Sequence, residues 1–487
     1  MPRRSPDDSA TVPFPMSPVS NGEWCPKPPT PRQRLAERLV AEQTAATARR
    51  LGLTRGQFLR TAAGTATAFM VLNRLHGAET WGSEAALPVK KVHCEDLAAG
   101  RELLDREMFV MDVQTHHLDL ELTRATEICN ALDFSALARS LGAAPSDVDC
   151  PEKLGQLNFV KEVLVNSQTS IAVLSGVPNG VIFGPDLMFR TRDLVNELAQ
   201  SERAIMQAMI DPKRQPGTPT SVETLERQVR ELGARALKVY TYNGNWRLDD
   251  EAVAYPMLEE VSRLGLGLVN VHKGLASLFG QDPEYVRATD FPKVVADWPK
   301  LRFCAYHSGY FFPGEHPAGL AGISEFVQVV ESMPRKHRRR VYAEIGSTFA
   351  TALLIGGPTE AAHLIGQLLK TVGSSNILWG TDSIWWGSPQ FAIDAFKNLQ
   401  IPESMQEEFG YPALTEKRKE RILGLNAAKL YSVKRRDREN LCSVPADRIQ
   451  QMQSALGDFR ADRSLRTYGP RTRREFLALR QLDERSA

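Results

Sequence analysis

The chain has 487 residues, with 60 Lys and Arg against 58 Asp and Glu, which gives a formal net charge of +2. Hydrophobic residues make up 42% of the chain and charged residues 24%, values typical of globular proteins. This composition excludes a collagen-like chain, a coiled coil, a disulfide-rich miniprotein and a mostly disordered protein. The near-neutral charge does not support a nucleic-acid-binding protein. The six cysteines are scattered and form no C-x-x-C pair, which favours free thiols in a reducing compartment.

Two segments with different compositions precede the main domain. Residues 1–31 are rich in Pro, Ser and Asp and are predicted to be a disordered leader, and residues 32–104 are predicted to be a helical extension. Within this extension, the sequence TRGQFLR at 54–60 resembles a twin-arginine export signal in which Gly56 replaces the second arginine. The apolar run that follows, at 61–72, is shorter than the roughly 20 residues that span a bilayer. We therefore expect a packed helix and a cytoplasmic protein without a membrane span, with export through this degenerate signal as the alternative.

Eight short apolar runs alternate with amphipathic helical segments between residues 105 and 433. The runs lie at 107–116, 170–176, 203–211, 236–242, 266–272, 301–307, 340–346 and 376–382. Alternating strands and helices predict a parallel sheet covered by helices, and eight repeats predict a closed (β/α)8 TIM-like barrel. The long gap at 117–169 predicts a helical insertion after the first strand. No dinucleotide-binding or P-loop motif follows any run.

The segment after the barrel, residues 434–487, is basic and has apolar residues at helical spacing. It is predicted to be a helical C-terminal extension that packs on the barrel or on a partner subunit. If the extension packs on a partner subunit, the protein is expected to be a homodimer.

Several residues with metal-binding or acid–base chemistry lie at the carboxyl ends of predicted strands. The first run ends in MDVQTHH, whose two-residue period places Asp112, Gln114 and His116 on one face. His272 and His307 end the fifth and sixth runs, and Asp382 ends the eighth. Reactive residues in such barrels gather at this face, and imidazoles with one carboxylate suit a divalent ion such as zinc or manganese. The pattern predicts a metal-activated water that attacks a carbonyl group.

The strings MDVQTHH, NVH, AYHSG, WGTDS and ERILGLNAAKLY (420–431) together resemble the amidohydrolase superfamily. They are similar to its amidohydrolase-related branch, which includes aminocarboxymuconate-semialdehyde decarboxylase. The resemblance covers roughly residues 105–433 and implies that His116, His272 and Asp382 hold one divalent metal ion. It also implies that His307 is the base or positions water, and that Asp382 both ligates the metal and moves a proton.

One position departs from the pattern of that family. Gln114 stands where the family has the first histidine of an H-x-H motif. A glutamine oxygen is a weak ligand beside imidazole, so the residue is either a weakened ligand or a hydrogen-bonding partner of substrate or water in a three-residue site. His117 is not expected to replace it, because a shift of one residue points to the opposite face of the strand.

Further residues near the strand ends are candidates for binding substrate. Lys238 is expected to bind a substrate carboxylate or to close the barrel, with a carboxylated, metal-bridging lysine as the alternative implied by two-metal relatives. Glu344 is expected to support a metal-ligating histidine or to accept a structural hydrogen bond. The aromatic candidates for the pocket wall are Tyr240, Tyr242, Trp246, Tyr310 and Trp385.

The residues and the resemblance together predict a metal-dependent hydrolase that acts on a small carbonyl or carboxylate substrate. Non-oxidative decarboxylation of an aromatic or unsaturated carboxylate uses nearly the same residues and is the alternative. A metal-free pseudoenzyme that serves as a binding scaffold is the second alternative, because Gln114 weakens the ligand set.

Overall fold

Nine β-strands form the centre of the molecule. The computed structural model describes residues 12, 15–19, 27–76, 85–119, 154–178, 183–275, 282–435 and 438. The strands are β1 (Val110–Thr115), β2 (Thr169–Leu174), β3 (Ala204–Met206), β4 (Ala208–Met209), β5 (Leu237–Val239), β6 (Leu268–Gly274), β7 (Arg302–Tyr310), β8 (Val341–Glu344) and β9 (Ile377–Leu378). All eight predicted strand regions are present. The third is divided at Gln207, whose side chain donates hydrogen bonds to Val113 O at 3.1 Å and to Tyr306 Oη at 2.7 Å.

The strands close into a barrel. They form two parallel sheets in the orders β1-β2-β3 and β4-β5-β6-β7-β8-β9, and β3 continues directly into β4. The opposite edges are joined where Val113 N donates to Trp379 O at 3.0 Å and Asp382 N donates to Gln114 O at 2.9 Å. The predicted (β/α)8 barrel is confirmed.

Helices follow the strands and cover the outside of the barrel, as the alternation in the sequence predicts. They are α1 (Pro31–Arg50), α2 (Arg55–Phe58), α3 (Ala62–His76), α4 (Lys91–Glu95), α5 (Leu97–Leu104), α6 (Gln156–Phe159), α7 (Pro185–Ala199), α8 (Leu225–Arg230), α9 (Ala254–Arg263), α10 (Phe291–Asp297), α11 (Ser324–Ser332), α12 (Arg335–Arg338), α13 (Thr348–Ile355), α14 (Gly357–Thr371), α15 (Gln390–Asn398), α16 (Glu403–Phe409), α17 (Glu416–Glu420) and α18 (Asn426–Leu430). Two π-helical turns, Val160–Val165 and Arg421–Leu425, extend α6 and join α17 to α18.

Packed side chains close the barrel at the amino ends of its strands. Tyr431, directly after α18, is buried in one hydrophobic cluster with Phe109 and Leu268, which lie at the starts of β1 and β6. Its hydroxyl accepts a hydrogen bond from Asn270 Nδ2 at 3.1 Å. This end of the barrel is therefore filled by packing, and the carboxyl ends of the strands remain for a site.

The N-terminal extension is part of the folded body. Thr30 and Gln33 form a capping box at the start of α1, and the predicted twin-arginine-like segment forms α2 and the buried helix α3. Phe69 of α3 is fully buried with its ring centroid 5.2 Å from that of Phe391. No helix in the described ranges is long and apolar enough to cross a membrane.

Of the leader predicted at 1–31, the structure describes only residues 12, 15–19 and 27–31, and the disorder of the leader stays a prediction. Val12, Pro15, Met16 and Val19 are buried, because their side chains pack against the barrel's outer layers. The predicted insertion at 117–169 is described only at 117–119 and from residue 154 onward, where α6 lies. Most of the C-terminal extension at 434–487 lies outside the described residues. Its helical character and the homodimer remain predictions.

Candidate active site

Unusual backbone conformations cluster at the carboxyl ends of three neighbouring strands. His307, Ser308, Ser347 and Asp382 have φ angles of 62°, 52°, 55° and 62°. Side-chain-bearing residues rarely adopt this left-handed region, and each instance costs about 1–3 kcal/mol that the surrounding structure must offset. Such strain gathers where side chains must be aimed at a common point, which marks this edge of the barrel as the candidate site.

A histidine and a carboxylate are in direct contact at this edge. His116 Nε2 lies 3.0 Å from Asp382 Oδ1, and both side chains are almost fully buried. His116 Nδ1 lies 2.5 Å from Ser175 O, and because a carbonyl only accepts, Nδ1 carries the proton in the neutral imidazole. The Nε2 lone pair then faces the carboxylate, so a proton or a metal cation is required between the two acceptors.

Gln114 lies beside this pair with its amide nitrogen toward it. Its Nε2 donates to Asp382 Oδ1 at 3.1 Å and approaches His307 Nε2 at 3.3 Å. Its Oε1 is buried and has no hydrogen-bond partner among the described residues. The pairing of β1 with β2 shifts register between Asp112 and Thr115, so the simple two-residue period assumed from the sequence does not hold here.

Asp112 has a structural role instead of the site position suggested by that period. It is fully buried, and its carboxylate accepts hydrogen bonds from Gln114 N at 3.1 Å, from Thr381 N at 3.0 Å and from Thr381 Oγ1. Burial raises the pKa of Asp112 to about 8, against the lowering effect of these hydrogen bonds. The residue thereby ties β1 to the segment that carries Asp382.

Glu344 at the end of β8 fixes the position of His307. Its Oε2 accepts the backbone N–H of His307 at 3.0 Å, and its Oε1 accepts that of Gly346 at 2.5 Å. His307 Nδ1 lies 2.7 Å from Gly346 O, so its Nε2 is the unprotonated nitrogen in the neutral ring and faces Gln114. Burial raises the pKa of Glu344 to about 7, with the charges of His307 and Lys238 acting in the opposite direction.

The predicted metal ligand His272 is not part of the His116–Asp382 contact. Its Nε2 lies 2.9 Å from Gly274 O, where the pairing of β6 with β7 also shifts register. Its ring packs edge-on against His307, with centroids 4.8 Å apart. Across the described ranges, no group of three or more His, Cys, Asp or Glu is arranged to hold a metal ion. The expected triad of His116, His272 and Asp382 is therefore not formed in this structure.

The predicted pocket residues are divided between the site and the packing around it. Tyr240 and Tyr242 surround His272, with ring centroids 5.7 Å and 4.9 Å from it, and Tyr240 Oη donates to Gly176 O at 2.7 Å. Lys238 is fully buried with Nζ 3.7 Å from the centre of the Tyr306 ring. The remaining predicted residues, Trp246, Tyr310 and Trp385, are buried with at most 6% of their surface exposed. Their roles in substrate binding stay predictions.

The sequence reasoning missed two small polar residues of the site. Ser347 Oγ donates to Asp382 Oδ2 at 2.6 Å and accepts a hydrogen bond from Trp386 Nε1 at 2.9 Å. Thr381 holds Asp112, as described above. Both residues lie three positions after the end of a strand, and this position was the signal available in the sequence. His117 turns away from the site, with Nε2 2.8 Å from Thr191 Oγ1.

The donor set at this edge fits a divalent cation. His116 Nε2 and Asp382 Oδ1 have the separation expected of two donors that each lie about 2.0–2.2 Å from one ion. A third acceptor, His307 Nε2, lies beside this pair, and Gln114 Nε2 donates both to it and to Asp382 Oδ1. His116 and Asp382 are the residues that would hold the ion.

Comparisons with known proteins place the chain in a family. A family model described as Amidohydrolase matches residues 179–433, just over half of the chain. No curated protein matches the chain.

Among solved structures, a probable 2-pyrone-4,6-dicarboxylic acid hydrolase from Acinetobacter baumannii is 12% identical, with 67% of this chain and 100% of that chain covered and a TM-score of 0.38. The 5-carboxyvanillate decarboxylase of Sphingomonas paucimobilis is 13% identical, with 67% and 100% covered and a TM-score of 0.40. A manganese-bound dihydroxybenzoic acid decarboxylase from Polaromonas sp. JS666 is 14% identical, with 68% and 99% covered and a TM-score of 0.39. These similarities are too low to assign a reaction to this chain.

A divalent metal ion is typical of the matched family, and the contact between His116 and Asp382 is suited to one. The family match shows that the chain is an enzyme belonging to the amidohydrolase family.

Proposed function

We propose that this enzyme is a hydrolase that acts on a small carbonyl or carboxylate substrate and uses one divalent ion, zinc or manganese, held by His116 and Asp382. The observation that carries the proposal is the contact between two acceptors, His116 Nε2 and Asp382 Oδ1, at 3.0 Å within a buried site. Neutral imidazole and carboxylate are ligands that both ions accept. An ion at this position would polarise a substrate carbonyl and make water more acidic.

His307 is the proposed general base. Its Nδ1 is engaged by Gly346 O, so its Nε2 is free of a proton in the neutral ring and can take one from water. Glu344 holds the backbone of His307, which limits the movement of the imidazole while it is charged. Ser347 holds the second oxygen of Asp382, which orients that carboxylate toward His116.

Lys238 supports a negatively charged substrate. Its side chain is fully buried with Nζ 4.6 Å from the centre of the Tyr240 ring, and its charge lowers the pKa of Glu344. A buried cation is stabilised when an anion binds nearby, so a substrate carboxylate would be favoured over a neutral group. Decarboxylation of such a carboxylate is the second candidate reaction, and this same observation is what favours it.

The decisive experiment measures two reactions on one panel of carboxylated esters, lactones and amides and of aromatic carboxylates. Purified enzyme supplied with Zn²⁺ or Mn²⁺ is assayed for hydrolysis and for release of CO₂. We expect hydrolysis that is abolished in His307→Asn and kept in His337→Asn, a control on α12 outside the barrel. CO₂ release without hydrolysis would establish the decarboxylase instead. A protein that binds no metal and turns over no substrate would favour the scaffold.

A further inference from the structure

The N-terminal segment before α1 is anchored in the hydrophobic core although its composition is that of a disordered chain. Val12, Met16 and Val19 have only 2%, 7% and 1% of their surfaces exposed and belong to the main hydrophobic cluster. Burying each such side chain contributes about 1.5–3 kcal/mol. This burial offsets part of the backbone entropy that the segment loses when it is ordered.

Pro15 places this segment next to the active site. It lines a narrow cleft between α13 and α15 together with Ser347, Thr381, Trp386 and Phe391. Ser347 donates a hydrogen bond to Asp382, and Thr381 donates one to Asp112. The segment therefore covers the back of the wall from which Asp382 projects.

A second anchor lies across the same face of the barrel. Lys27 Nζ is 3.4 Å from Glu315 Oε1 and 4.9 Å from the centre of the Phe312 ring. Both residues follow β7, the strand that carries His307. Pro15 and Lys27 thus both contact segments that follow strands of the barrel, Pro15 after β8 and β9 and Lys27 after β7.

A chain of hydrogen bonds connects the cleft to the catalytic carboxylate. Trp386 lines the cleft, and its Nε1 donates to Ser347 Oγ at 2.9 Å. Ser347 Oγ in turn donates to Asp382 Oδ2 at 2.6 Å. Ser347 keeps a strained φ of 55°, which persists only while its surroundings hold it. Trp386 therefore links the cleft that Pro15 lines to a residue that touches Asp382.

We propose that residues 15–19 are a positioning element of the active site, which packs on the cleft lined by Trp386 and Ser347 and thereby keeps the carboxylate of Asp382 in place. The functional part of this inference rests on the proposed role of Asp382. The segment is then required for activity. Detaching it disorders the site while the barrel stays folded. This contribution to the position of Asp382 comes from the N-terminal segment and not from the barrel.

The test detaches the segment in the full-length protein and measures local amide hydrogen exchange. Met16→Glu places a charge in the core, and Val92→Glu is the matched control because Val92 is 50% exposed. In Met16→Glu we expect amide exchange to be about tenfold faster in peptides covering 345–349 and 381–388. The exchange rate of β6 should be unchanged in this variant. Val92→Glu should exchange like the wild type throughout. If Met16→Glu does not fold, the double variant Met16→Ala and Val19→Ala answers the same question.

Turnover supplies the second measurement. A positioning role predicts a lower kcat with a nearly unchanged KM in the detached variant, because Asp382 is misaligned while the pocket remains. Unchanged exchange at 345–349 and 381–388 would overturn the proposal. So would an equal acceleration in β6, which would show general destabilisation. If the wild type has no turnover, the proposed function fails, but the exchange data still decide the structural role.

Discussion

The side chain of Glu344 holds the backbone of His307: Glu344 Oε2 accepts the N–H of His307 at 3.0 Å. The same carboxylate accepts the N–H of Gly346 at 2.5 Å, and Gly346 O lies 2.7 Å from His307 Nδ1. One buried carboxylate thus fixes both the strained backbone of the proposed base and the carbonyl that determines its tautomer.

Replacing Glu344 with Gln is expected to keep one of these two hydrogen bonds and to break the other. An amide group has one accepting oxygen, so one of the two backbone N–H groups would face an NH₂ group and lose its partner. We expect the free energy of unfolding to fall by about 1–3 kcal/mol, the cost of a buried unsatisfied donor. Urea denaturation measures this, with the exposed Glu331→Gln on α11 as control. Equal stability of the two variants would show that Glu344 does not carry these bonds.

Gly380 makes room for the same carboxylate. A Cβ atom at this position would lie 1.8 Å from Glu344 Oε1 and 3.3 Å from Gln114 Cβ. Gly380→Ala is therefore expected to displace Glu344 and to lower stability by about 1–3 kcal/mol or more. Gly56→Ala is the matched control, since a Cβ there has no atom within 4 Å. Thermal unfolding that is unchanged by Gly380→Ala would contradict the described position of Glu344.

Much of the fold was predictable, because it depends on local periodicity. Each apolar run and the glycines that end helices are visible in the sequence, and the barrel follows from their alternation. The burial of Val12 and Met16 was not predictable in this way, since two apolar residues in a Pro- and Ser-rich segment have no period. They join a hydrophobic cluster that also contains residues of the barrel, which begins about 100 positions later in the chain.

The site was predictable as a set of residues but not as a geometry. Strand-end position identified His116, His307 and Asp382, which the structure brings together with Gln114. The displacement of His272 was not visible, because it depends on a register shift between β6 and β7. Such a shift changes where a side chain points without changing the apolar pattern that predicts the strand.

His117 is expected to make the protein sensitive to acid. Burial lowers its pKa to about 3, against about 6.5 in the unfolded chain. Below pH 6.5 the unfolded state binds a proton that the folded state does not, so stability is complete above pH 6.5 and falls as the pH drops toward 3. The loss is about 1.4 kcal/mol per pH unit within this window. His117→Gln removes the titrating group, so its unfolding free energy measured between pH 6.5 and 5 should fall by about 2 kcal/mol less than that of the wild type.

Gln114→His restores an imidazole beside Asp382. The glutamine Nε2 lies 3.1 Å from Asp382 Oδ1, so a histidine at this position can offer a ring nitrogen to an ion held by His116 and Asp382. We expect tighter binding of Zn²⁺, measured by competition with a chromophoric chelator. We also expect lower turnover, because an additional strong ligand occupies a position that water needs. Unchanged affinity would mean that residue 114 does not face the ion.

The central claim, that His116 and Asp382 hold one divalent ion, is tested most directly by the metal content of purified protein. Wild type, His116→Asn, Asp382→Asn and the control His337→Asn are loaded with Zn²⁺ or Mn²⁺, passed through a desalting column and analysed for bound metal, with circular dichroism to confirm folding. We predict about one equivalent in wild type and control and almost none in the two site variants, since each loses one of two close ligands. Full metal content in folded His116→Asn, or its absence from the wild type, would contradict the account.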